Sequence, residues 1–159
     1  MPAFYKEWTY RALLAVKKRI VMSPQPRPAV YVGHDSTLQL CNTIAQFDLK
    51  HILIVTDRPL LDLGILNAAV AALNGHGVRT VIYDGVKPDP AVSVVREGLA
   101  LLRSSGCDGV LAFGGGSSID TAKVIALAAS NDLSVEACVG LRKGRVPALP
   151  LFAIPTTAG

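Results

Sequence analysis

Residues 109–118 read Gly109-Val110-Leu111-Ala112-Phe113-Gly114-Gly115-Gly116-Ser117-Ser118. An apolar run followed by glycines and serines describes a buried strand ending in a sharp turn, and residues 118–129 continue it as a helix. A strand without polar alternation is covered on both faces, as the strands of a parallel sheet are. Comparable runs recur on either side, at residues 29–32, 51–55, 78–83 and 150–154. Each has strand length and is bounded by Gly, Pro, Asp or Thr.

Helical stretches separate these runs. Asp89 stands as an N-cap before Pro90, Val92, Val95, Leu99 and Leu102 follow at three-to-four spacing, and Gly106 marks the end. Weaker helical patterns cover residues 36–47 and 60–73, the latter closed by Asn74-Gly75. The resulting order, β-α-β-α-β-α-β-α-β, predicts a doubly wound α/β domain with a mostly parallel, Rossmann-like sheet. Residues 1–28 stand outside that rhythm. Phe4, Trp8 and Ala12 share one side of a possible helix, and Ser23-Pro24-Gln25-Pro26-Arg27-Pro28 is an extended linker. The expected organisation is an N-terminal helical arm with its linker over 1–28 and a nucleotide-binding domain over 29–159.

Composition narrows the function classes. The 159 residues are 50% hydrophobic and 18% charged, enough for one domain with a real core and unlike a disordered chain. No apolar run approaches the roughly 20 residues of a membrane span. The net charge of +4 owes much to Lys17-Lys18-Arg19 and Arg142-Lys143-Gly144-Arg145, while Phe4, Tyr5, Trp8 and Tyr10 crowd the N-terminus. A basic face interleaved with stacking aromatics is not formed, so neither nucleic acid nor membrane is expected as a partner. Cys41, Cys107 and Cys138 have no CxxC spacing and read as buried core thiols, which together with the absence of a secretory leader pattern predicts a cytoplasmic protein.

Open parallel sheets bind ligands beyond the carboxyl ends of their strands, so the loops there are the candidate site. Gly114-Gly115-Gly116-Ser117-Ser118 places backbone amides at a helix N-terminus, where the dipole favours an anion and the missing side chains admit a phosphate. The pattern is neither GxGxxG nor GxxxxGK[ST]. A tight turn with Ser117 or Ser118 as a plain cap is the competing reading. Asp57 could accept hydrogen bonds from an adenosine ribose and repel a 2′-phosphate, or simply cap a helix before Arg58-Pro59. Thr156 and Thr157 offer two hydroxyls at the end of the last strand.

Taken together these residues resemble the iron-dependent (group III) alcohol dehydrogenases. Gly114-Gly115-Gly116-Ser117 with Asp120 and Lys123, then Pro155-Thr156-Thr157-Ala158-Gly159, are similar to that family's paired cofactor motifs. Ile54-Val55-Thr56-Asp57 and Tyr83 through Pro90 are similar to its other two N-terminal motifs, all in family order. The resemblance implies that NAD is the cofactor, with Asp57 at the ribose, Gly115, Gly116 and Ser117 around the pyrophosphate, Thr156 and Thr157 lining the cofactor further along, and Gly114 and Asp120 among the cofactor-binding residues. Asp89 is also counted among the cofactor-binding residues, at a position that commonly carries Asn in the family. It further implies a hydride transfer between a primary alcohol or aldehyde and NAD, in a homo-oligomer, assisted by Fe²⁺ or Zn²⁺ held by Asp and His of an all-helical second domain. That domain is absent from this sequence, so the chain alone is expected to be inactive and no catalytic or metal-ligating residue is assigned. His34, His51 and His76 lack ligand spacing and read as ordinary histidines. The alternative is a stand-alone nucleotide-binding or interaction module without catalysis.

Overall fold

The computed structural model describes residues 28–140 and 144–157. The Phe4–Trp8 aromatic group, the arm, most of the linker and the Arg142-Lys143 pair lie outside them. Elements follow in the order α1 (Ser36–Ala45), β1 (His51–Asp57), α2 (Arg58–Asp62), α3 (Asn67–Gly75), β2 (Arg79–Val86), α4 (Val92–Ser104), β3 (Gly109–Gly114), α5 (Gly116–Asn131), a short 3₁₀ turn (Glu136–Cys138) and β4 (Leu151–Pro155).

The four strands form one sheet in the order β2-β1-β3-β4, and every pairing is parallel. The apolar runs explain the layering. On β1, Ile52 and Ile54 face a core shared with Cys41 and Ile44 of α1, Ala69 and Leu73 of α3, and Leu111 and Phe113 of β3. Leu53 and Val55 face the opposite core, with Val95, Leu99 and Leu102 of α4, Ala122, Ile125 and Ala126 of α5, and Val110 and Ala112 of β3. Both faces of the central strands are therefore covered, which is why their sequences do not alternate. The fold is a Rossmann-like α/β layer structure.

The connection from β1 runs to β2 on one side of the sheet, and that from β3 runs to β4 on the other. The strand order thus reverses between β1 and β3. Such a switch point opens a crevice at the carboxyl ends of the two strands, because the loops leaving them turn in opposite directions.

Three sequence expectations need correction. Residues 29–32 form no strand: Val30 and Val32 are 74% and 90% exposed. Four apolar residues cannot hold a strand without a ladder beside them, and no described strand pairs with them. Asp89 does not cap α4. It sits in the left-handed region with φ 47°, and the helix starts after Ala91 without a side-chain cap. Pro90 disfavours right-handed helical backbone in the residue before it, which delays helix entry. The helix expected over 60–73 is two helices, because Gly64, at φ 69°, terminates α2 in a backbone conformation that other residues rarely adopt.

Gly98 lets α4 lie against the core. A Cβ there would sit 2.6 Å from Ile125 Cδ1 and 3.0 Å from the Tyr83 ring. Above that contact, the Tyr83 hydroxyl donates to the Val94 carbonyl at 2.6 Å, locking β2 to α4. All three cysteines are free, Cys41 and Cys107 are buried, and burial pushes all three thiols above their ordinary range. At the carboxyl end of α5, Asn131 works as a latch: its Oδ1 accepts from the amides of Arg145 (2.6 Å) and Val146 (2.9 Å), and its Nδ2 donates to the Val146 carbonyl (3.1 Å).

Two outcomes are expected. Gly98→Val overpacks the α4–α5 contact and lowers stability by about 1–3 kcal/mol in urea denaturation; an unchanged midpoint would show that the helices part freely. Burial, followed by the nearby Glu97 and Asp84 charges, pushes the Tyr83 hydroxyl up to about 12. The folded state therefore favours the neutral phenol, whereas an unfolded tyrosine ionises near pH 10. Its contribution is complete below about pH 10 and is lost as pH rises toward about 12. Tyr83→Phe should flatten stability over that alkaline window, a point checked by thermal melts from pH 9 to 12.

Candidate functional site

The crevice at the switch point is bounded by the ends of β1 and β3. Val55 pairs with Ala112, so Asp57 and Gly114, each two residues further on, leave neighbouring strands at the same edge of the sheet. Gly114 also pairs with Pro155 at the end of β4, which brings Thr156 and Thr157 to the same edge. Asp57, the glycine turn and the Thr pair, distant in sequence, are thus gathered on one rim.

The turn itself is dictated by residue 114. Gly114 has φ 150°, and a Cβ would meet Ser118 Oγ at 2.5 Å. The chain can therefore pass directly from strand to helix only with glycine here. Helix α5 begins at Gly116 with Gly115 at the N-cap, and no side chain satisfies its first amides. This corrects the reading of Ser117 or Ser118 as a plain cap: Ser117 is half-buried inside the first turn, and Ser118 is buried and packs beneath Gly114. The unpaired amides and the positive end of the helix dipole make the turn suited to an anion.

Glycine is needed differently at the next two positions. A Cβ on Gly115 would lie 3.2 Å from Thr157 Oγ1, so the turn and the last strand's exit touch there. The Thr156 amide donates to the Gly114 carbonyl at 3.1 Å and anchors the contact. A Cβ on Gly116 would meet nothing within 4 Å. Gly116 is exposed and packing does not demand it, leaving open space over the amides that a phosphate could use.

Asp57 does cap a helix: its Oδ1 accepts the Leu60 amide at 2.9 Å, with Pro59 in the first turn of α2. The residue is half-buried at the rim. Asp120 is exposed one turn into α5 and pairs with Lys123 Nζ at 3.0 Å, so that lysine is held on the helix surface. Asp89 is exposed, three residues beyond the end of β2. Among the described residues no hydrogen bond or ion pair joins it to the other candidates.

Sequence reading missed the ion pair between Arg58 Nε and Asp84 Oδ2, 2.8 Å, beside Asp57. It joins the first residue of α2, just past β1, to β2, and only the observed register, Val55 opposite Tyr83, could have announced it. Asp108 was also missed. Its carboxylate accepts the Lys50 and His51 amides at 2.9 and 3.0 Å and fixes the entry into β1. Two of the histidines serve local structure: His51 Nδ1 is 3.1 Å from the Ser105 carbonyl, and His76 Nε2 is 2.8 Å from Asn42 Oδ1.

Among the described residues no three His, Cys, Asp or Glu side chains come together in a way that could hold a metal ion. The donors among the described residues do not form a site for iron or zinc. The glycine turn, in contrast, has the features a dinucleotide pyrophosphate would need, a helix start without a side-chain cap and open space beside Gly116.

The geometry of the turn predicts that Gly114→Ala costs about 1–3 kcal/mol of stability, the scale of a strained backbone at a single residue, while Gly116→Ala, with space around its Cβ, changes the melting temperature little. A thermal melt of both variants checks the contrast; equal losses would show that the turn tolerates side chains alike.

Comparison with known proteins bears on the whole of this region. The model of the family "Iron-containing alcohol dehydrogenase" matches residues 26–159. Lactaldehyde reductase of Escherichia coli strain K12 is 36% identical over 131 residues, covering 81% of this chain and 34% of that protein. An NAD-dependent methanol dehydrogenase of Bacillus methanolicus is 34% identical over 132 residues, with 83% and 35% covered. The solved alcohol dehydrogenase from Oenococcus oeni superposes with a TM-score of 0.77 at 30% identity, covering 83% of this chain and 35% of that one. The chain spans about a third of the length of the relatives it matches. With the family model matched across the α/β domain and its glycine turn, the chain belongs to the iron-containing alcohol dehydrogenase family.

Proposed function

We propose that this chain is the NAD-binding portion of an iron-dependent alcohol dehydrogenase, with residues 29–159 as the dinucleotide-binding domain after an arm of residues 1–28. The observation that carries the reading is the pairing, across the β1–β3 switch point, of a carboxylate at Asp57 with the uncapped N-terminus of α5 at Gly114-Gly115-Gly116. A dinucleotide needs both: amides for its pyrophosphate, and an acceptor for the adenosine ribose hydroxyls. The similarity to the NAD-dependent methanol dehydrogenase of Bacillus methanolicus supports the choice of cofactor.

In this reading Asp57 accepts from the ribose hydroxyls through carboxylate lone pairs that its bond to the Leu60 amide does not use. Gly115, Gly116 and Ser117 present amides to the pyrophosphate, and Thr156 and Thr157 line the far side toward the nicotinamide. Asp120 lies further from the turn, already paired to Lys123, and Asp89 borders the rim. In the complete protein NAD supplies the hydride acceptor for a primary alcohol, or NADH the donor for an aldehyde. This chain's share is to hold and orient the dinucleotide. Iron or zinc would be bound by residues other than those described, in a cytoplasmic homo-oligomer.

Calorimetric titration tests the reading. NAD should bind more tightly than NADP, because a 2′-phosphate beside Asp57 meets like charge at a cost of order 1 kcal/mol. Asp57→Gly should narrow the difference, and equal affinities in the unmodified chain would remove the ribose role. Gly116→Val should abolish binding while the melt stays cooperative, since the branched side chain fills the phosphate approach; binding retained in a folded variant would reduce the turn to a structural feature.

A further inference from the structure

We infer that Asp84 is a cofactor-specificity residue that acts through Arg58. The inference rests on the assignment of Asp57 to the adenosine ribose. Arg58 follows Asp57 directly and opens α2, so its guanidinium belongs to the rim where a 2′-phosphate would arrive. An arginine beside the ribose carboxylate is the group that accommodates NADP in nucleotide-binding sheets, because its planar fork matches phosphate oxygens. Here the guanidinium is held at one nitrogen: Arg58 Nε donates to Asp84 Oδ2 at 2.8 Å.

Asp84 is built to hold it. Its side chain is 25% exposed against 66% for Arg58, so the carboxylate is the fixed member of the pair. It lies on β2 between Tyr83, whose hydroxyl is tied to the Val94 carbonyl, and Gly85, where a Cβ would strike the Tyr83 ring. Opposite, Asp57 faces both Gly85 and Val86 across an irregularity in the β1–β2 ladder. That irregularity sets Asp84 next to the exit of β1. The ion pair partly offsets the Arg58 charge and draws the guanidinium toward β2, so the carboxylate of Asp57 is less compensated at the rim. Discrimination against NADP then needs two acids, Asp57 at the ribose and Asp84 behind the arginine.

The test is calorimetric titration of the full chain with NAD and with NADP, read as the ratio of the two dissociation constants, with a thermal melt of each variant. Asp84→Asn should shift the ratio toward NADP by about fivefold, the limit that a solvent-exposed ion pair sets. Asp84→Glu should keep the unmodified ratio. The double variant Arg58→Gln with Asp84→Asn should lose the shift, because the freed guanidinium is what takes the 2′-phosphate. An unchanged ratio in folded Asp84→Asn that still binds NAD would overturn the inference and leave the ribose assignment standing. So would a shift that persists in the double variant, since Asp84 would then act by its own charge. Failure of the unmodified, folded chain to bind NAD would overturn both.

Discussion

The absence of a side chain at residue 114 is the constraint on which the rest depends. At φ 150°, with Ser118 Oγ 2.5 Å from where a Cβ would stand, the chain reverses from β3 into α5 within two residues. Because the reversal is so short, α5 starts directly at the sheet edge and its first amides face the crevice instead of a capping side chain. The same residue anchors β4, through the bond from the Thr156 amide to its carbonyl. One backbone conformation thus sets the helix origin, the position of the Thr pair and the exposure of a helix end suited to an anion.

That geometry gains meaning from the strand order. A glycine turn anywhere else along the sheet edge would present amides to open solvent. Between β1 and β3, where the crossovers diverge, it lies at the same sheet edge as Asp57 on the neighbouring strand. The rim therefore carries a dipolar positive end on one side and a carboxylate on the other. Lys123, the nearest lysine in sequence, is paired with Asp120 on the surface of α5, so the amides and the dipole are the turn's own means of meeting a phosphate.

Much of this was legible in the chain, for identifiable reasons. β1 and β3 declared themselves because burial on both faces removes polar alternation, and the Gly114–Ser118 turn is a local feature whose chemistry lies in consecutive residues. The dual character of Asp57, cap and rim carboxylate, was open in the sequence, and the cap is what its Oδ1 makes. The stretch at 29–32 has strand composition yet no strand, since pairing is decided by distant neighbours and not by the run itself. Asp89 has the chemistry of a cap, but its backbone before Pro90 is left-handed and the helix begins two residues later. The Arg58–Asp84 pair and the Asn131 latch were invisible for one reason: each joins residues whose proximity follows from register and loop path, which spacing along the chain does not encode.

The central claim is that a dinucleotide lies across the β1–β3 crevice, with its pyrophosphate on the amides of α5 and its ribose at Asp57. Amide chemical-shift mapping of the labelled chain titrated with NAD tests it most directly. The account predicts the largest shifts at Gly115, Gly116 and Ser117 together with Asp57 and Arg58, two groups far apart in sequence responding at one affinity. Shifts confined elsewhere, such as the Asn131–Val146 end of α5, or a response on only one side of the crevice, would contradict it.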